Sequence, residues 1–265
     1  MWSEANEKWS EPLPANRIEF RLTRRHQTAR RMATLAPSTP KTDRLRRIAS
    51  PIHTVVLLLA VAATVARGLI HGNELRSASR VRIYERTMLM EWLEFAFVLL
   101  GVWWAGWPLS VVVGQRWRSL WDFVRDLGIG IGYSIVSTMV LSVLLPHGGD
   151  SSHAVQFLMP QGRTEMMLWM ALSVSAGICE ETLYRGYLQK QFAALTNSLI
   201  AGIAMSGVAF GLSHAYQGPR QAVVIAIDGM MLGALAHWRR SVRPGMIAHT
   251  FKDCVAPFVI AATRH

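Results

Sequence analysis

The sequence predicts an all-α polytopic transmembrane bundle, and three observations carry that prediction. Apolar runs of about twenty residues recur along a chain of 265 residues that is 51% hydrophobic. That length matches a bilayer core of roughly 30 Å crossed at about 1.5 Å per residue. The runs are long and continuous rather than short and alternating, which excludes a β-barrel; lipid tolerates only backbone whose hydrogen bonds are satisfied internally.

Residues 1–50 come first and are polar and Pro-containing, without sustained periodicity. They hold eleven Lys and Arg against five acids and read as a disordered cytosolic tail. The first apolar run begins only after residue 50, too far along for a normal signal-peptide n-region, so no cleavable signal peptide is expected. Glu4, Glu7, Glu11 and Glu19 argue against an organelle transit peptide.

From Pro51 onward the chain reads as one membrane domain, 51–265, with a motif-bearing core at 120–262. Its expected spans are Ile52–Leu69, Met88–Val113, Leu127–Leu145, Met166–Tyr184, Ser198–His214, Ala222–Trp238 and Met246–Ala262. That makes seven, with an eighth if the Trp-rich second run breaks at Pro108.

Basic residues beside a first span are cytoplasmic under the positive-inside rule. The loops Gln115–Arg125, Gly186–Asn197 and Arg239–Pro244 then also lie inside, with Arg116, Arg118, Arg125, Lys190, Arg239, Arg240 and Arg243. The opposite loop Pro146–Arg163 is nearly free of Lys and Arg. The loop His71–Thr87 breaks the pattern, because it carries Arg76, Arg80, Arg82 and Arg86 to the outside. Either the first run is not a full span, or the larger N-terminal cluster outweighs this loop. The net charge of +11 finds a sufficient partner in anionic lipid headgroups, and no nucleic-acid motif accompanies the arginines.

Three successive apolar runs carry ionisable groups: Glu180 and Glu181, His214, and His249 with Asp253. A charge at the centre of a span costs on the order of 3 kcal/mol, so such residues usually serve a site. Residues four apart share a helix face, which pairs Glu181 with Arg185 and leaves Glu180 free to face a cavity. Phe210 and His214 are one turn apart, so the ring can hold the imidazole rotamer. His249 and Asp253 also share a face and can hold a metal, a water or an oxyanion. For each motif a structural reading stands beside this one: the acids neutralise Arg185, His214 is an interfacial residue, and Asp253 pairs with Lys252. Asp228 is a further intramembrane acid, either a proton carrier in the same cavity or a helix–helix hydrogen-bonding group beside Gly229 and Gly233. Cys179 and Cys254 form no CxxC and read as small packing residues. The many tryptophans of 92–121 read as interfacial anchors.

Taken in order, EETLYR (Glu180 to Arg185), FGLSH (Phe210 to His214) and HTFKD (His249 to Asp253) resemble the motifs EExxxR, FxxxH and HxxxN or HxxxD of the CAAX prenyl protease and bacteriocin-processing (Abi, or CPBP) intramembrane endopeptidases. The resemblance covers residues 120 to 262. It implies that Glu180 activates the attacking water, that His214 and His249 complete the site, and that Asp253 takes a position often held by Asn. Glu181, Arg185 and Phe210 would be supporting residues. The cofactor stays open between zinc, held by Glu180, His214, His249 and Asp253, and no metal, as in a glutamate protease. An ionised Asp cannot donate to an oxyanion as Asn can, so Asp253 must be protonated, act through water or ligate a metal. The expected substrate is a lipidated or membrane-embedded peptide reaching the cavity from the cytoplasmic side, with membrane lipids as surroundings and no nucleic acid. A membrane immunity or scaffold protein, a proton-coupled transporter and a bis-His haem protein are the alternatives.

Overall fold

The computed structural model describes residues 45–70, 79–144 and 157–262. The expected tail up to residue 44, the loop segment with Arg76 and most of the Gly-, Ser- and His-rich loop before Phe157 lie outside the described residues. In chain order the helices are α1 (Pro51–Ile70), α2 (Arg80–Trp104), α3 (Ser110–Val113), α4 (Leu120–Leu144), α5 (Arg163–Glu180), a π-helix (Glu181–Leu188), α6 (Gln189–Thr196), α7 (Leu199–Ser213), a 3-10 turn (Ala215–Gln217), α8 (Pro219–Arg239) and α9 (Arg243–Ala262). There is no strand among the described residues.

Three helices, Arg80–Trp104, Leu120–Val143 and Pro219–Arg239, are long and apolar enough to cross a bilayer, and the apolar stretches Pro51–Arg67 and Leu199–Ser213 are shorter. The helices bearing the motifs, α5 and α9, carry charged groups that lower their hydropathy. Large apolar side chains point outward, among them Trp104 at 81% and Ile200 at 80% exposure. A water-soluble bundle would bury such groups; lipid solvates them.

Several boundaries differ from the sequence expectation. The second run ends at Trp104, Gly106 turns at positive φ, and only the four-residue α3 follows Pro108, so the conditional eighth span does not form. Arg80, Arg82 and Arg86 are not in a loop but in the first turns of α2. The segment 186–196, expected as loop, is helical: the helix bearing Glu180 continues through the π-helix into α6, and Asn197 ends it in the left-handed conformation. Ile48 and Ala49, read with the tail, are buried.

Neighbouring helices approach through small residues, as is usual where lipid supplies no hydrophobic drive. α7 and α8 run antiparallel, and a Cβ on Gly207 or Gly211 would fall within 3 Å of Met230, Ala222 or Ala226. α5 and α9 also run antiparallel, Gly177 lying against Met246 and Thr250. α2 runs parallel to α5, linked by Arg80–Glu165 at one end and Glu91–Ser175 at mid-length. α1 runs antiparallel to α2, with His53 stacked on Phe97. α4 runs parallel to α9, Ser134 Oγ donating to the Ala248 carbonyl.

Candidate active site

Glu181 is fully buried, and its Oε1 accepts from Arg185 Nη1 at 2.8 Å. Arg185, 1% exposed, also donates from Nε to the Gly229 carbonyl and lies 4.1 Å from the Phe210 ring centre. The pair expected from i,i+4 spacing is therefore formed, although on a π-helix. A π-helix has a wider turn and often marks a functional position. Both Gly229 and Gly245 are needed for closeness here: a Cβ on the first would sit 2.9 Å from Arg185 Nη2, and on the second 2.8 Å from Glu181 Oε2.

His249 joins this cluster from α9. Its Nδ1 lies 3.2 Å from Glu181 Oε1, and its Nε2 lies 3.7 Å from Glu180 Oε2 and 3.5 Å from Asp253 Oδ2. One imidazole thus faces three carboxyl groups. His214 caps α7. Its Nδ1 donates to the Phe210 carbonyl at 2.9 Å; a carbonyl only accepts, so Nδ1 carries the proton and Nε2 keeps its lone pair. The Phe210 ring makes edge contacts with His214, His249 and Tyr184. The aromatic ring expected to steady one histidine therefore touches both.

Glu180, His214, His249 and Asp253 all line one cavity of roughly 600 Å³. Phe210 also lines it, whereas Glu181 and Arg185 lie behind the wall. Among the described residues Glu180 Oε2, Glu181 Oε2 and Arg185 Nη2 are buried without a hydrogen bond. Asp228 lines the same cavity but is engaged: both its oxygens pair with Lys252 Nζ, at 2.7 and 2.8 Å, and Tyr133 donates to it. The expected alternative of an Asp253–Lys252 pair does not form; Lys252 turns to Asp228. Cys179 and Cys254 are free.

A zinc ion was one of the two expectations for the cofactor. Among the described residues no three His, Cys, Asp or Glu side chains are placed to hold a metal ion. Glu180, His214, His249 and Asp253 share a cavity, but as arranged they do not form a zinc set.

One acid in the cavity wall escaped the sequence reading. Glu91 of α2 is buried, lines the cavity, accepts from Ser175 Oγ at 2.7 Å and lies within electrostatic range of Glu180, His249 and Asp253. Its signal was the same as that of Glu180, an acid within an apolar run, but it belongs to no motif.

No curated protein and no solved structure matches the chain. Residues 162–255 match the family model of the type II CAAX prenyl endopeptidases, Rce1-like, a narrower stretch than the 120–262 of the motif resemblance. It nevertheless contains every residue of the three motifs. With its exposed apolar helices, the protein is a membrane protein, and its residues 162–255 are similar to the Rce1-like type II CAAX prenyl endopeptidases.

Proposed function

We propose that the protein is a multi-pass intramembrane endopeptidase that hydrolyses a peptide bond in a lipidated or membrane-embedded substrate. The observation that carries this reading is the convergence of Glu180, His214, His249 and Asp253, from three separate helices, on one cavity.

Glu180 would accept a proton from the attacking water, its Oε2 being buried and without a hydrogen bond. His214 Nε2, left as an acceptor by the Nδ1 bond to Phe210, would take the water's second hydrogen bond and aim its lone pair. His249, between Glu181, Glu180 and Asp253, would present an N–H to the carbonyl oxygen as negative charge develops on it. Such preorganised donors give the largest single term in many hydrolases. The proton taken by Glu180 then passes to the leaving amine as the C–N bond breaks. Asp253 keeps the orientation of His249 rather than donating to the oxyanion itself. Arg185 and Glu181 hold the π-helix and fix the other face of His249.

The test is cleavage of a quenched-fluorescent prenylated CAAX peptide, and of a membrane-spanning peptide, by the purified protein in lipid vesicles. Glu180→Gln, nearly isosteric, should abolish cleavage while the unfolding midpoint stays close to that of the parent. Glu180→Gln activity equal to the parent's would falsify the endopeptidase assignment and favour a scaffold role.

A further inference from the structure

The cavity lies towards one end of the bundle. Besides the motif residues it is lined by Tyr84 and Thr87 in the first turns of α2, Ser142 near the end of α4, Tyr216 and Gln217 between α7 and α8, and Ala256 in the second half of α9. These positions share an end because α2 and α5 run parallel from it, α4 and α9 run towards it, and α7 and α8 meet there. The cavity reaches the surface where Thr87 and Tyr216 are exposed.

The opposite end has a different character. It holds Arg116, Arg118 and Arg125 before and at the start of α4, and Arg239, Arg240 and Arg243 between α8 and α9. Arg239 binds Asp126, and Arg243 lies over the Trp117 ring, which closes the two groups into one surface. Arg46 stacks on Trp107, so the chain leading into α1 starts at this end too. Among the described residues nine Lys and Arg stand here, counting Arg47 and Lys190, against six at the cavity end: Arg67, Arg80, Arg82, Arg86, Arg163 and Arg220. The same end is ringed by tryptophans: Trp103, Trp104, Trp121 and Trp238 are exposed by 66%, 81%, 71% and 67%. An arginine-rich, tryptophan-belted helix end is the signature of a cytoplasmic membrane interface.

We propose that the cavity opens on the extracytoplasmic face, opposite the arginine-rich end, and that its substrate is a peptide segment presented from that side. The substrate class is then an exported or membrane-spanning polypeptide rather than the lipidated C-terminus of a cytosolic protein. This runs against the sequence-based expectation of cytoplasmic access. The two views differ because helix direction, not the motifs, decides where the mouth lies. The substrate class rests on the endopeptidase reading; the sidedness does not.

Sidedness is tested on the full chain in intact cells with a membrane-impermeant maleimide, the parent's own Cys179 and Cys254 setting the background. Gln217→Cys, at the cavity mouth, should label in intact cells. Gln115→Cys, exposed at the arginine-rich end, should label only after permeabilisation. The reverse pattern overturns the proposal, and so does labelling of both or of neither in intact cells. Wild-type-like cleavage by Glu180→Gln combined with the expected labelling would remove the substrate class and leave the sidedness standing.

Discussion

Two polar regions lie on either side of the helix that carries Glu180 through Gln191, and they differ in how completely their hydrogen bonds are met. On the α1 side, the Tyr187 hydroxyl meets His53 Nδ1 at 2.8 Å and Thr54 Oγ1 at 2.9 Å, while His53 Nε2 donates to the Phe97 carbonyl. Gln191 donates to Thr54 and to the Ala49 carbonyl and accepts from Ile48 N–H. Every side chain of this group has partners, and the ring stacking of His53 on Phe97 fills the remaining space. On the cavity side Glu180, Glu181 and Arg185 each keep a buried polar atom without one among the described residues. An unmet buried polar group costs about 1–3 kcal/mol. The first region therefore behaves as scaffold, and the second keeps interaction capacity that folding does not consume.

That contrast is broken most severely by Arg185→Met. The change removes the guanidinium paired with Glu181 in a fully buried position and leaves that carboxyl only the His249 imidazole; removing one member of a buried pair costs about 3–5 kcal/mol. The expected result is a large fall in folded yield and in the unfolding midpoint in detergent. A midpoint within error of the parent would mean that Glu181 finds another partner and that the π-helix does not depend on the pair.

Tyr187→Phe sharpens the comparison from the scaffold side. It deletes one hydroxyl and leaves His53 Nδ1 and Thr54 facing a ring edge, for an expected loss of about 1–3 kcal/mol. Cleavage per folded molecule should be unchanged, in contrast to Glu180→Gln, which should leave the midpoint and remove cleavage. If Tyr187→Phe also removed cleavage at equal folding, the division into scaffold and site would fail.

Local spacing made the cavity side legible before the α1 side. Glu181–Arg185 and His249–Asp253 are four residues apart, and helical geometry alone places them on shared faces. What spacing cannot report is which helices pack together. The contact of His249 with Glu181 spans 68 residues, and that of Lys252 with Asp228 spans 24; both depend on tertiary packing. The π-helix was invisible for a different reason, since ETLYRGYL contains no Pro and its one glycine, Gly186, weakens an α-helix by about 1 kcal/mol without dictating a wider turn. The close approach of Val112 to Gly186, where a Cβ would strike its carbonyl, is a tertiary feature. His53 and Glu91 gave weak signals, one polar residue each in an apolar run, and acquired meaning only from partners on other helices. The number of spans is less legible for a related reason: hydropathy establishes three helices outright, while those bearing the site are diluted by the groups that make it a site.

The smallest expected effect concerns neither region but the ion pair above the cavity end, which serves as a baseline. Glu165 precedes the apolar run that starts at Met166 and accepts from Arg80 Nε and from the Gln161 N–H, each at 2.7 Å. The Arg80 bond first, then the Gln161 amide, hold its carboxyl below the usual glutamate range. A carboxylate whose folded pKa is depressed contributes stability above its unfolded pKa of about 4.3, and that contribution fades as pH falls through the lower folded value. Because the pair sits at a helix end and keeps part of its surface in solvent, Glu165→Gln should cost no more than about 1 kcal/mol near neutral pH. The variant and parent unfolding midpoints should then converge as the solution is acidified through the carboxylate range. A gap that persists or widens in acid would show that the side chain matters for its hydrogen bonds rather than its charge. A neutral-pH gap as large as that of Arg185→Met would mean that burial does not separate the surface pair from the cavity pair.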